Sequence, residues 1–188
     1  LRLSARAFYL IQGNIVTFEK LTLHPSILKA ISESGYTVPT PIQAQAIPQA
    51  LEGHDLMASA QTGTGKTAAF VLPSLHRLGT PSTKNSRGPR VLVLTPTREL
   101  ANQVTAAAIK YGKHMRFRIG SVVGGMPYPP QMRLLSQPLD ILVATPGRLL
   151  DHMERGRIDY SRLEILVLDE ADRMLDMGFI HAEEEIAA

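Results

Sequence analysis

Eight consecutive residues, Ala60-Gln61-Thr62-Gly63-Thr64-Gly65-Lys66-Thr67, have the types and order that hold an anion. They follow a short apolar run, Leu56–Ala58, and precede a helix-like run, Ala68–Leu78. That is strand, small-residue loop, helix. Such a loop turns successive backbone N–H groups into one concavity. The helix that begins near Gly65 adds the positive end of its dipole. Lys66 supplies a mobile point charge for the outer phosphates of a nucleotide, and Thr67 a hydroxyl for magnesium. Gly63 and Gly65 let the backbone approach the phosphates. The first position of the pattern is ordinarily glycine and here is Ala60. The bland alternative is a Gly/Thr-rich turn with a solvated lysine. The strand before, the helix after and the Gly-Lys-Thr ending argue against it.

Two further sets of residues bear on chemistry. Asp169-Glu170 follows the apolar run Ile165–Leu168. Behind a strand and downstream of a phosphate loop, Asp169 has the position of a magnesium-holding carboxylate. Glu170 can orient and deprotonate a water for attack on a γ-phosphate. Adjacent carboxylates are common on surfaces, so the pair carries weight only in this setting. In Gly35–Gln43, the Gln43 amide offers a donor and an acceptor that match N6 and N7 of adenine. Tyr36 offers a ring for the base. Taken alone, Gln43 reads as an ordinary, partly exposed helix residue. No Asn-Lys-x-Asp stretch occurs, which argues against guanine recognition.

The elements that position these residues can be read along the chain. Pro25–Ser34 reads as a helix ended by Gly35, and Thr40-Pro41 opens a helix through Leu51. Gly79–Pro89 reads as an exposed loop. Strands are expected at Val91–Leu94, Arg118–Val123, Ile141–Ala144 and Ile165–Leu168. Helices are expected from Thr97 towards Gly112 and from Thr145 onward. Continuous apolar strands alternating with helices indicate an α/β fold with a mostly parallel sheet covered on both faces. In such a sheet the C-terminal strand ends share one edge. Thr95–Arg98, Gly124-Gly125, Thr145–Arg148 and Asp169–Asp172 each follow a strand, so the order of residues collects them, with the phosphate loop, on one rim.

Composition adds bounds. At 188 residues the chain fits one ordinary domain with a single sizeable core. Cysteine is absent, which excludes disulfides and thiolate metal sites and fits a reducing compartment. No apolar run approaches membrane-spanning length. Net charge is +3, but residues 61–120 hold ten Lys/Arg against one acidic residue, whereas residues 121–188 hold six Arg against twelve Asp/Glu. A basic middle third suits a polyanion, or is simply a set of solvated faces. Residues 1–16 match nothing interpretable. They form an unassigned extension whose apolar stretch, broken by Gln12-Gly13-Asn14, is too short for a leader.

Together these motifs make the chain resemble the N-terminal RecA-like domain of a DEAD-box RNA helicase over about Thr17 to Ile180, and the expected domain is 17–188. The matching residues are Gly35–Gln43 with Phe18 upstream, Ala60–Thr67, Pro96-Thr97-Arg98-Glu99-Leu100-Ala101, Gly124-Gly125, Thr145-Pro146-Gly147-Arg148 and Asp169-Glu170-Ala171-Asp172. The wording Arg173–Phe179 looks most like the bacterial RhlE-type group. The family often carries Ala at the first loop position, so Ala60 loses its weight. The resemblance implies a RecA-like P-loop NTPase fold, cytoplasmic location, ATP with Mg2+, and RNA unwinding coupled to ATP hydrolysis. It assigns Phe18, Tyr36, Gln43, Gln61, Thr62, Gly63, Thr64, Gly65, Lys66 and Thr67 to the nucleotide. Thr67 and Asp169 go to the metal, and Lys66, Asp169 and Glu170 to catalysis. Asp172 goes to interdomain coupling. Pro96, Thr97, Arg98, Gly124, Gly125, Thr145, Pro146, Gly147 and Arg148 go to one RNA strand. These last motifs hold no aromatic residue, so sequence-independent backbone contact is expected. Thr97 or Thr145 singly could be a helix cap serving only the fold.

The family's Ser-Ala-Thr motif and second RecA-like domain, with its arginine fingers, do not occur in these residues, so the expectation is a truncated helicase half, weak or inactive alone. A non-catalytic RNA- or partner-binding module is the alternative from another class. A different P-loop enzyme is the third reading. Tyr36, Gln43 and the two Thr/Arg strand ends argue against it.

Overall fold

The computed structural model describes residues 17–53 and 65–176. It includes Gly65, Lys66 and Thr67 of the phosphate loop. Gln61, Thr62, Gly63 and Thr64, the strand expected at 56–58, and residues 1–16 and 177–188 lie outside the described residues. The chain divides into two units, Leu1–Thr80 with Ala107–Arg116, and Pro81–Ala106 with Phe117–Ala188.

The first unit is helical among its described residues. A 3-10 turn at Phe18–Leu21 precedes α1 (Pro25–Glu33), α2 (Pro41–Leu51) and α3 (Lys66–Leu78). Proline at the first helical position of α1 and α2 presets φ where no N–H partner is needed. His24 caps α1, its Nδ1 accepting from the Ser26 N–H at 3.2 Å. The backbone N–H of His24 donates to Nδ1 of His76 on α3 at 2.9 Å. α2 packs on α3. Ile27, Ile31, Ile47, Leu72 and Leu75 are fully buried, each contributing about 1.5–3 kcal/mol.

The second unit is built on a sheet of β1 (Val91–Leu94), β2 (Ile119–Val122), β3 (Ile141–Ala144) and β4 (Ile165–Leu168). All pairings are parallel, in the order β2-β3-β1-β4. Parallel neighbours need crossovers, and the helices supply them. α4 (Arg98–Tyr111) starts in this unit and ends in the first. α5 (Tyr128–Leu135), α6 (Pro146–Glu154) and α7 (Ala171–Asp176) follow β2, β3 and β4. Leu92, Leu94, Leu142, Leu149 and Met174 form the buried core of this unit. Leu94→Ala would cost about 2–5 kcal/mol.

Two expectations need correction. The strand expected at 118–123 is shorter at both ends. The Arg118 N–H is taken by Asp140 Oδ2 at 2.7 Å, and the Val123 carbonyl by the Gln131 amide at 3.0 Å. Both groups leave the ladder for side chains. The loop 79–89 is exposed along most of its length, but its end is anchored. Arg162 Nε donates to the Gly88 carbonyl, and Pro89 is buried. Residues 128–135, unassigned in the sequence reading, form α5.

Candidate functional site

Each unit carries its own set of candidate residues. In the first, Gly65 is the N-cap of α3 with φ +82°, a conformation that glycine adopts without steric cost. A Cβ there would sit 2.5 Å from Gln43 Nε2 and 2.6 Å from Thr40 Oγ1. The close approach is made by a hydrogen bond, since Gln43 Nε2 donates to the Gly65 carbonyl at 3.2 Å. The other end of the amide, Oε1, accepts from the Thr40 N–H at 2.9 Å. Gln43 therefore ties the start of α2 to the start of α3 and is buried, where the sequence alone suggested partial exposure. Thr40-x-x-Gln43 is a capping-box signature that could have revealed the bond from the Thr40 N–H. A primary amide has two N–H donors and two lone pairs, so one of each remains for a base edge.

A cavity of about 270 Å³ opens beside this contact, lined by Phe18, Tyr36, Thr40, Gln43, Gly65 and Thr67 among others. Phe18 is buried, and Tyr36 is half exposed. Lys110 Nζ stands 4.9 Å from the Tyr36 ring centroid, a cation–π contact on one ring face. Tyr111 also lines the cavity, and burial pushes its phenol up. Lys66 is buried in the first turn of α3. The small-residue gap at Gly65, the open first turn of α3 and the hydroxyl of Thr67 fit a nucleotide phosphate. Among the described residues no group of three or more His, Asp or Glu could hold a metal ion. Thr67 in the first unit and Asp169 in the second each carry the kind of hard oxygen donor that magnesium prefers.

In the second unit the strand ends share one edge, as the order of residues predicts. They are also laced together. The Thr145 N–H donates to the Val122 carbonyl at 3.1 Å, Thr95 to Ala144 at 3.0 Å and Asp169 to Leu94 at 2.8 Å. Asp169 is buried. Glu170 follows with φ +55°, a left-handed conformation that costs a residue with a Cβ roughly 1–2 kcal/mol. Such strain persists only where the surroundings impose it, and it gathers at functional positions. The Glu170 carbonyl accepts from Arg173 and Met174 N–H groups and so starts α7. Asp172 is exposed on that helix.

Thr97 and Thr145 behave differently. Thr97 Oγ1 accepts from the Leu100 N–H at 3.2 Å and caps α4, as expected. Thr145 precedes α6, but its Oγ1 accepts from the Gly124 N–H at 3.0 Å. Among the described residues no side-chain hydrogen bond caps α6, so its first N–H groups leave positive dipole available for an anion. Pro96 and Pro146 are buried, and Gly147 is exposed. Gly125 has φ +76°, and the Arg98 guanidinium lies 3.6 Å from where its Cβ would be.

Arg148 is more engaged than its motif suggests. Its Nη1 donates to the Met126 carbonyl at 2.6 Å and to Gln131 Oε1 at 3.1 Å. Its guanidinium lies 4.0 Å from the Tyr128 ring centroid. An aromatic side chain thus stands among motifs that contain none. Gln131 also pairs with His152 Nε2 at 3.0 Å. Arg157 lies 3.1 Å from His152 Nδ1 and can only donate, so Nε2 carries the proton and donates to Gln131. His152 is fully buried. Burial and the adjacent Arg157 and Arg148 guanidiniums push its pKa down, so it stays neutral. Tyr128, Gln131 and His152 are what the sequence reading missed. Tyr128 and Gln131 lie on a different helix from Arg148, and the 17 residues between Gln131 and Arg148 leave no local signal of the pairing.

A family model described as DEAD/DEAH box helicase matches residues 40–188. The ATP-dependent RNA helicase SrmB of Escherichia coli is 49% identical over 173 residues, covering 92% of this chain and 39% of that protein. The ATP-dependent RNA helicase DeaD of the same organism is 52% identical over 173 residues, covering 92% of this chain and 27% of that protein. A protein of the same description from Buchnera aphidicola is 52% identical over 171 residues, covering 90% and 28%. The chain thus spans well under half the length of these curated relatives.

Proposed function

The chain belongs to the DEAD/DEAH box helicase family, and from that premise we propose that it is the ATP- and RNA-binding half of an ATP-dependent RNA helicase. Joined to a second RecA-like domain, it couples ATP binding and hydrolysis to local unwinding of an RNA duplex. The observation that carries this reading is the laced edge at Thr95, Gly124, Thr145 and Asp169, where four parallel strands deliver four motifs to one side.

In this reading Gln43 reads the adenine edge, with Phe18 and Tyr36 against the base. The loop 61–65, Lys66 and the first turn of α3 hold the phosphates. Thr67 and Asp169 hold magnesium, which when bound neutralises phosphate charge. Glu170 orients the attacking water and takes its proton. Asp172 couples this domain to the second one. Arg98, the Gly124-Gly125 backbone, the α6 N-terminus and Arg148 grip phosphates of one strand, with Pro96, Thr97, Thr145, Pro146 and Gly147 shaping the path. Contacts of this kind position a strand without reading its sequence. A cytoplasmic location belongs to the same proposal, and a chain without cysteine is compatible with it.

The test is steady-state ATP turnover by the 188-residue chain joined to a second RecA-like domain, with and without single-stranded RNA. RNA-stimulated turnover that disappears in Glu170→Gln supports the reading. RNA binding without any turnover would make the chain a non-catalytic binding module instead.

A further inference from the structure

Gln131 belongs to none of the motifs above, yet it is only 5% exposed and has polar partners on two other segments. A buried amide is a poor choice for packing alone, because every bond it fails to make costs free energy. Its Nε2 donates to the carbonyl of Val123, the residue before Gly124. Its Oε1 accepts from Arg148 and His152, both on α6. The donor and acceptor ends cannot be exchanged, because the His152 tautomer is fixed by Arg157. Gln131 therefore joins the Gly-Gly segment to α6. Tyr128, one helical turn earlier on α5, lays its ring against the Arg148 guanidinium. Two hydrogen bonds and one ring contact hold a side chain that would otherwise lose much rotamer freedom on binding. Both bonds use Nη1, so Nε and Nη2 remain for a phosphate.

We infer that Gln131 and Tyr128 are positioning residues for RNA. They set the Arg148 guanidinium and the Gly124-Gly125 segment in one register before a strand arrives, so that binding loses less side-chain entropy. This rests on the reading of Arg148 as a phosphate contact. Neither residue reads a base, so the effect is the same for every RNA sequence.

The experiment uses the 188-residue chain, short labelled oligouridylate and oligoadenylate, and a salt series. Arg148→Ala comes first. If it leaves RNA affinity unchanged, the phosphate role of Arg148 is wrong, whatever Gln131 does, and the inference falls with it. Once that loss is seen, Gln131→Met and Tyr128→Leu are each expected to lower affinity about three- to tenfold on both RNAs. The slope of log affinity against log salt should fall by up to roughly one, with ADP binding unchanged. In an Arg148→Ala background both effects should nearly vanish. Tyr128 is on the surface, so Tyr128→Leu carries the test if Gln131→Met fails to fold. Full RNA affinity in the single variants would overturn the inference. So would losses that persist without Arg148, or a loss confined to one RNA, which would make Tyr128 a base contact.

Discussion

The side-chain amide of Gln43 donates to the carbonyl of Gly65, 22 residues further along the chain, at 3.2 Å. The residue proposed to read the base thus holds the last glycine of the phosphate loop. Its carbonyl oxygen meanwhile holds the Thr40 N–H. Gln43→Ala would therefore mix three losses: the base contact, the loop contact and the α2 cap. Gln43→Glu removes the cap from that mixture. A carboxylate still accepts from Thr40 in a capping box but has no N–H for Gly65 or for adenine. The expected outcome is a lower melting temperature, because an oxygen then faces the part-buried Gly65 carbonyl in place of a donor, together with loss of the preference for ATP over GTP at about 1–3 kcal/mol. Titration of both nucleotides beside a melting curve checks this. An unchanged preference in Gln43→Glu would remove Gln43 from base recognition.

Two glycines make an internally controlled pair. Gly65→Ala places a methyl 2.5 Å from Gln43 Nε2, on a backbone with φ +82°. The conformation alone costs about 1–2 kcal/mol, and the displaced amide adds to it. Stability and nucleotide affinity should fall together. At Gly124 a Cβ meets nothing within 4 Å, while its N–H stays bonded to Thr145. Gly124→Ala should leave stability within about 0.5 kcal/mol and leave nucleotide affinity unchanged, but obstruct a strand lying against the loop. If Gly124→Ala binds RNA as the parent does, the Gly-Gly segment is not part of the RNA path.

How much of this was legible depended on whether the signal was local. Val91–Leu94, Ile141–Ala144 and Ile165–Leu168 match the expected strands residue for residue, because unbroken apolar runs bounded by turn residues leave few alternatives. The start of α6 was marked by Thr145-Pro146. α5 was missed because Pro127, Pro129 and Pro130 resemble an extended stretch. A helix tolerates proline in its first turn, where the N–H groups have no intrahelical partner. The candidate site divides in the same way. Strand ends and the Gly-Lys-Thr loop announce themselves in sequence. The partners of Arg148 do not, because Gln131 and the Met126 carbonyl meet it only through tertiary packing, at separations of 17 and 22 residues.

Binding and chemistry should separate at two residues. Lys66 is a buried cation in the first turn of α3. Lys66→Ala should weaken ATP and ADP binding by about 1.5–3 kcal/mol, the range for hydrogen bonds to charged groups. Glu170→Gln keeps the shape and polarity of the side chain on a backbone already held at φ +55°. It should bind ATP normally and, with a second RecA-like domain attached, fail to turn it over, because an amide is a poor base. A fluorescent nucleotide titration and a phosphate-release assay on both variants give the comparison. Normal turnover by Glu170→Gln would mean that another group activates the water.

Acid should expose one contact of the first unit. Glu33, the last residue of α1, lies 2.5 Å from Lys113 Nζ and 2.8 Å from His114 Nε2. Hydrogen bonds from Lys113 first, then His114, hold its carboxyl down to about 2 from an ordinary 4.5. Above the ordinary value the carboxylate is charged in both folded and unfolded chains, and the pairing contributes fully. As pH falls below it, the unfolded chain takes up a proton that the folded chain refuses, so the contribution shrinks and is gone once the folded carboxyl also protonates. Glu33→Gln has no such titration. The melting temperatures of parent and variant should therefore differ most above about pH 5 and converge between about pH 4.5 and 2. The contact is open to solvent, so added salt should narrow the gap at every pH. A gap that keeps its size down to the acid end of that range would show that Glu33 acts through packing and not through its charge.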